Sequence, residues 1–445
     1  MIKSKPTILL ACLGVALARN LSAADAPKAD AWGITLPSSI TEASLTTKIG
    51  WDSNVYCTES APLANQKDIA EKGSTVFSAS PKLLLNGVKL FDLAKGSAIQ
   101  ALSFGYTGEY NVYSSYSKED NARHSLPFSL KLKNEAWSAS IDNTFLYVNG
   151  SKGSPLYNTY SAYGTATARE RRNQIQNRLA ANVRYDCCPE AFLRIAGNSL
   201  TYDLLTNTYN TALAAQASRK GYQNWIDRSD IGAGVDAGYR INKDLSFVTG
   251  WRVGQQFQDR FSWGAKHVTS TFNRVTFGLE GKIASWLQGN ISAGPDFRRY
   301  SDAPNLNITG ASHTWLYVDG NLTATATPDD KLVFTTKVWH WVSSTGSTSY
   351  QDSSYVLSWK HIVDKNLTLS AGVKFAASKY DLIAPPLRND QMWTLPVGVS
   401  YAFSKEVVLS ADYQFGKTHN VVESVTTLGR DYQQHQFSVS LKLAL

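Results

Sequence analysis

The stretch Gln391-Met392-Trp393-Thr394-Leu395-Pro396-Val397-Gly398-Val399-Ser400-Tyr401-Ala402-Phe403 decides the fold. From Trp393 onward every second residue is large and apolar, while Thr394, Pro396, Gly398, Ser400 and Ala402 lie between. A period of two belongs to a strand with two unlike faces. Ser404, Lys405 and Glu406 turn the chain, which returns as Val407, Leu409, Ala411, Tyr413 and Phe415, interleaved with Ser410, Asp412, Gln414 and Gly416. A soluble sandwich would bury the apolar face against a second sheet. A membrane barrel would turn it to lipid and keep the small polar face for its lumen.

The rest of the chain favours the barrel. It has 445 residues, with 18% charged and 11% aromatic. Its mean hydropathy is slightly negative, and no apolar run approaches the roughly 18 residues of a membrane helix. Apolar residues diluted one-to-one along every strand give this composition. Eighteen strand patterns can be counted, with a range of sixteen to eighteen, joined by seventeen connections that alternate in length. Short ones such as Asn134-Glu135, 242–244, 328–331, 364–366 and 404–406 alternate with longer ones such as 149–172, 206–227, 302–312 and 419–431. Outer-membrane barrels sort short periplasmic turns from long outer loops in this way, and a sandwich has no reason to. The expected fold is all-β, a closed antiparallel transmembrane barrel.

The start of the chain reads as an export signal. Lys3 and Lys5 precede an apolar segment, 8–18, too short to span, and Ser22-Ala23-Ala24 offers small residues for cleavage. Residues 1–24 are therefore expected to be a signal peptide, 25–44 a periplasmic lead and 45–445 the barrel, placed in the outer membrane. Leu9-Leu10-Ala11-Cys12 resembles a lipoprotein box but comes too early. Loss of Lys3, Lys5 and Arg19 takes the formal charge from +8 to +5, and no basic run points to nucleic acid. Cys57, Cys187 and Cys188 remain, which is no disulfide framework. Cys187-Cys188 beside Pro189 allows a strained vicinal disulfide or two unpaired turn residues.

Strand phase selects the candidate lumen residues. The basic set is Lys131, Lys133, Arg178, Arg184, Arg240, Arg252, Arg274, Lys282, Lys360, Lys374 and Lys442. The acidic set is Asp142, Asp186, Asp236, Glu280, Asp319 and Asp412. Eleven against six favours anions in a confined pore. The competing reading is that charges brace the wall in pairs, as Asp236 with Arg240 or Arg274 with Glu280 within one strand. A phase change near Asn198 in the strand 192–205 suggests a bulge. Trp51, Trp137, Trp251, Trp286, Trp359, Trp393, Tyr401 and Phe403 near predicted strand ends suit an interfacial girdle. Trp315 and Tyr317, in phase with Asp319 and Asn321, are candidates for stacking sugars.

Seven histidines raise the question of catalytic chemistry. His313, His340 in Trp339-His340-Trp341, and His361 read as interfacial or lumen residues. There is no HExxH, CxxC pair, Ser-centred glycine elbow or phosphate-cradling Gly-Lys loop. No enzyme activity, cofactor or metal is expected.

Two features carry resemblances. Phe437, Val439, Leu441, Leu443 and Leu445 form an alternating final strand, which resembles the signal read by the barrel insertion machinery, although that signal usually ends on Phe. Gly50-Trp51-Asp52-Ser53-Asn54-Val55-Tyr56, followed by a polar loop and Ala79-Ser80-Pro81, resembles the opening of the Putative beta-barrel porin 2 family. That resemblance implies a pore, passive or for export, and no catalytic residues. The expected function is a channel for small hydrophilic solutes in outer-membrane lipid. The alternatives are an export pore or partner in exopolysaccharide traffic, or a structural or adhesive barrel plugged by 149–172 or 206–227. Oligomeric state is not legible.

Overall fold

The computed structural model describes residues 36–57, 72–93, 98–150, 159–161, 164–166, 173–205, 227–258, 268–301, 312–342, 349–380, 388–422 and 431–445. The expected signal peptide, 1–24, and most of the expected lead segment, 25–44, lie outside the described residues, as do most of the connections 149–172 and 206–227. The strands are β1 Ile40–Asp52, β2 Ser74–Asn86, β3 Ile99–Tyr113, β4 Asn121–Lys133, β5 Trp137–Asn149, β6 Thr159–Ser161, β7 Gly164–Ala166, β8 Gln174–Cys188, β9 Ala191–Leu204 and β10 Arg228–Arg240. They continue as β11 Leu245–Gln258, β12 Thr269–Ala284, β13 Leu287–Tyr300, β14 Ser312–Thr325, β15 Asp330–Val342, β16 Ser349–Ile362, β17 Leu367–Tyr380, β18 Arg388–Ala402, β19 Val407–Asn420 and β20 Tyr432–Ala444.

Eighteen of these form one sheet in which each strand pairs antiparallel with its neighbours in the chain, and β1 pairs with β20 to close the ring. The pair β6–β7 is a separate hairpin within the loop after β5. β1 opens at Ile40 rather than Leu45, because Ile40 and Glu42 already pair with Leu85 and Leu84 of β2. It ends at Asp52, where the motif residues Ser53 to Tyr56 leave the sheet.

The register fixes the faces. Val397, Val399, Leu395 and Leu441 are exposed on the outside, as are Trp51, Trp286, Trp393, Tyr401 and Phe403. Trp251 is also exposed outside, but it sits mid-strand opposite Val235 and Val275 rather than at a strand end. The inner face carries the small and polar residues, such as Ser400 bonded to Ser410 at 2.8 Å. An exposed apolar face around a sheet that closes on itself through β1 and β20 meets lipid.

The short connections repeat one device. Asn242 Oδ1 accepts the N–H groups of Asp244 and Leu245, both at 2.9 Å. Asp364 Oδ1 accepts those of Asn366 and Leu367 at 2.7 and 2.8 Å. Ser404 Oγ accepts those of Glu406 and Val407, both at 3.2 Å. A side chain that closes on the backbone two and three residues ahead makes the turn locally self-sufficient. Outside the strands, the Asp364 carboxylate lies below its ordinary pKa because these two backbone N–H groups bond its charged form.

The expected bulge near Asn198 is absent. β9 keeps unbroken register with β10 from Ala191 to Tyr202. The change of apolar phase arises because Phe192, Leu200 and Leu204 point inward, Phe192 lying 3.6 Å beneath the Arg184 guanidinium. The irregularity sits instead between Asp186 and Cys188. Cys187 and Cys188 are the last residues of β8, exposed and unbridged.

Candidate functional site

All twelve candidate lumen residues lie on the inner face by register: Arg178, Arg184, Asp236, Arg240, Arg252, Arg274, Glu280, Lys282, Lys360, Lys374, Asp412 and Lys442. The arginines gather on one side, on β8 to β13. Asp236 on β10 accepts Arg252 of β11 in a fork, at 2.6 and 2.8 Å, and Arg194 of β9 at 2.7 Å. Arg194 also reaches Glu280 of β12 at 2.9 Å, and Arg184 stands 3.9 Å from the same carboxylate. Asp186 takes Arg184 at 3.0 Å and Arg240 at 2.6 Å. Farther along, Asp296 of β13 takes Arg274 and Arg298, both at 2.9 Å.

The pairing runs between strands rather than along them. Asp236 does not meet Arg240, nor Arg274 Glu280. At about 3.3 Å per residue, four or six positions along a strand put such groups roughly 13–20 Å apart, whereas neighbouring strands stand about 4.8 Å apart. Forked arginine–carboxylate pairs also fix geometry. The wall is therefore braced and still cationic: Arg184, Arg194, Arg240, Arg252, Arg274 and Arg298 are ion-paired with Asp186, Asp236, Glu280 and Asp296, and Arg178, Arg228 and Asp230 stand on the same face. Arg178 bonds Tyr202 Oη at 3.1 Å and has no carboxylate at ion-pair distance among the described residues.

The opposite wall is built from amides, hydroxyls and a carboxylate. Gln414 Nε2 donates to Gln436 Oε1 at 3.1 Å, and Gln436 Nε2 to Asp52 at 2.9 Å. Ser78 Oγ donates to Asn111 Oδ1 at 2.7 Å, and Asn111 Nδ2 to Asn121 Oδ1 at 2.9 Å. A recess of about 360 Å³ opens along this wall, lined by Lys48, Asp52, Ser78, Asn111, Asp412 and Gln436. Among the described residues no group of three or more His, Cys, Asp or Glu is placed to hold a metal ion.

Residues 199–445, from β9 to the end of β20, match the Putative beta-barrel porin 2 family. The chain belongs to that family. Among curated protein sequences none matches. Solved structures similar to this porin-family chain include Pseudomonas aeruginosa OccK2 (OpdF) in complex with glucuronate, at 10% identity and a TM-score of 0.41, covering 91% of this chain and 98% of that one. P. aeruginosa OpdK with vanillate gives the same identity, TM-score and coverage. The ferric citrate transporter FecA gives 8% identity and a TM-score of 0.41, covering 89% of this chain and 62% of that one.

The match to the porin family falls on the later strands, whereas the motif that suggested it lies on the first. In this family barrel that motif closes the ring. Asn54 Nδ2 donates to Gln433 O at 3.0 Å on β20, and the Asn54 N–H bonds Asp52 at 2.9 Å. At the other end of the same seam, Glu42 holds Lys82 of β2 at 2.6 Å and Lys442 of β20 at 3.1 Å. Just beyond β1, Cys57 is buried, with its thiol pushed up to about 12, first by burial and then by the Asp52 charge.

The porin lining also holds residues that strand phase did not select. Arg194 was hidden by the apparent phase change at Asn198. Asp296 and Arg298 were missed although they alternate with Phe297 as inner and outer residues should. Trp315 and Tyr317 face inward as expected but are already stacked: Trp315 on His340 at 3.8 Å and His313 at 5.3 Å, Tyr317 under Arg274 at 3.6 Å. Their faces are not free for sugars in this arrangement.

Proposed function

We propose that the barrel is a passive outer-membrane channel for small hydrophilic solutes, with a preference for anions. The observation that carries this reading is the excess of guanidinium over carboxylate on the inner face of β8–β13, eight against five. Rings of arginine favour anions in a confined pore, and low-dielectric walls focus the field into the lumen. The carboxylates hold the guanidiniums in place and lower the field from that of bare charges. Facing them, the amide wall of β19, β20 and β1–β4 can donate to and accept from neutral hydroxyl groups of a passing solute. Residues 1–24 are taken to be removed on export.

Reversal potential across a planar bilayer under a salt gradient tests the reading. The wild type should select anions, and Arg178→Glu with Arg184→Glu should shift the potential toward cations. Cation preference in the wild type, or no shift in the double variant, would remove the basic-lumen reading.

A further inference from the structure

The seam between β14 and β15 is zipped only part-way. Pairing runs from Thr325↔Lys331 to Val318↔Val338 and stops there. β14 nevertheless continues to Ser312, paired on its other side with β13, and β15 continues to Val342, paired with Ser349 of β16. Among the described residues the outer half of β14 thus has an open edge toward β15.

Above Val338, β15 crosses the inner face of its neighbours. Gln256 Nε2 of β11 donates to His340 O at 2.9 Å, and Arg228 Nη1 of β10 to Val342 O at 2.9 Å. β11 and β15 are four places apart on the ring, which along the wall would be roughly 19 Å. The hairpin partner follows, with Ser349 Oγ of β16 lying 3.3 Å from Tyr300 Oη of β13.

The buried face is the wrong one for a lumen strand. Leu332, Phe334, Thr336, Val338, His340 and Val342 share one face of β15, and its lower end lies beside the outward residues Leu322, Leu357 and Trp359. In the outer half, Thr336 and Val338 are nearly buried, and His340 and Val342 completely so. Val342 packs with Val268 and Tyr300, with Trp315 against them. Both ring nitrogens of His340 and the hydroxyl of Thr336 are buried with no hydrogen-bond partner among the described residues. Buried polar atoms without partners are expensive, and so is an open sheet edge in a membrane barrel. The open edge and the burial of His340 arise from the same displacement, and zipping β15 onto β14 closes the edge and returns His340 to the outward face.

We propose that the outer half of β15, with β16, is a gate with two seats. In the seat described, it lies inward across β10–β14 and narrows the outer mouth. In the other, the register Val318↔Val338 continues up the seam and sets Leu316 opposite His340 and Thr314 opposite Val342. His340 and Val342 then rejoin the outward face, and Trp315 and the Gln256–Arg298 cluster face open lumen. The conductance consequence rests on the channel reading above, whereas the two seats do not.

The test uses two cysteine pairs in a Cys57→Ser, Cys187→Ser, Cys188→Ser background, each treated with dibromobimane in the lipid-reconstituted barrel. Trp315→Cys with His340→Cys traps the inward seat, and Thr314→Cys with Val342→Cys the zipped one. Both pairs should become fluorescent on bridging. The zipped form should conduct at least about twofold more than the inward form, as a wider constriction requires. Failure of the Thr314/Val342 pair to bridge, or equal conductance of the two bridged forms, overturns the gate. Bridging of both pairs in a barrel that passes no ions would support the two seats and sink the channel reading. If the Trp315/His340 variant fails the heat-modifiable gel shift of a folded barrel, Tyr300→Cys with Ser349→Cys replaces it.

Discussion

Gln434 on the last strand donates from one amide nitrogen to both carboxylate oxygens of Asp52 on the first, at 2.9 and 3.0 Å across 382 residues of chain. Gln436 and the backbone N–H of Asn54 complete the set at 2.9 Å each. The closing seam of the barrel is therefore held at its outer end by one buried carboxylate with donors from both strands.

Removing that carboxylate should loosen the seam. Asp52→Ala strands several buried donors, each worth about 1–3 kcal/mol, so a loss of about 3 kcal/mol is expected. Asp52→Asn keeps one acceptor oxygen and should lose about half as much. Urea unfolding in lipid vesicles reads the difference, and an unchanged midpoint for Asp52→Ala would show that the cluster does not hold the seam.

The two faces of β18 and β20 should respond oppositely to charge. Val397→Arg places a cation on the lipid side and should cost about 2–4 kcal/mol near the midplane. Ser440→Arg places it on the inner face and should be nearly neutral. Folding yield and urea midpoint for the pair measure this, and equal sensitivity would contradict the face assignment.

Asp236 is the most enclosed carboxylate of the Arg184–Arg252 network, its side chain 3% exposed. Asp236→Asn leaves Arg194 and Arg252 without a shared counter-charge. The barrel should lose about 3 kcal/mol, as when one partner of a buried pair is removed. Surviving channels should become more anion-selective, with the permeability ratio rising about twofold in reversal-potential measurements.

The cysteines should separate by position. A large polyethylene-glycol maleimide should label Cys187 and Cys188 in purified barrels but not on intact cells, because the orientation expected from loop lengths puts their turn in the periplasm; labelling on intact cells would invert that orientation. Cys57 should resist even small maleimides. Only thiolate reacts, and a thiol at about 12 is almost wholly protonated at pH 8. Its rate should climb about tenfold per pH unit toward pH 11. A fast reaction at pH 8 would show that Cys57 is accessible and unshifted.

The barrel was legible because lipid imposes period two on each strand, and because short turns must carry their own hydrogen bonds: Asn242, Asp364 and Ser404 can be read as turn formers from sequence. The charged lining was legible strand by strand but not as a network, since cross-strand partners such as Arg194 and Glu280 depend on register. Phe192 misled because an inward aromatic shelved under Arg184 breaks the apolar phase without breaking the strand. The inward seat of β15 has no signature in the sequence. Val338, His340 and Val342 alternate as an outward face would, and only the tertiary arrangement turns that face onto Trp315.

At the seam, Ser44 pairs with Ala444, and the Leu445 N–H bonds Ala43 O at 2.8 Å. The ring thus passes from β20 to β1 as smoothly as from β19 to β20. A circular permutant that joins these two strands with a short linker and opens the chain at the Asn242 turn would keep every strand neighbour while giving the barrel a different first and last strand. Such a chain would separate two roles that coincide in the native order: the strand that reaches the membrane last, and the strand whose Gln434 locks onto Asp52.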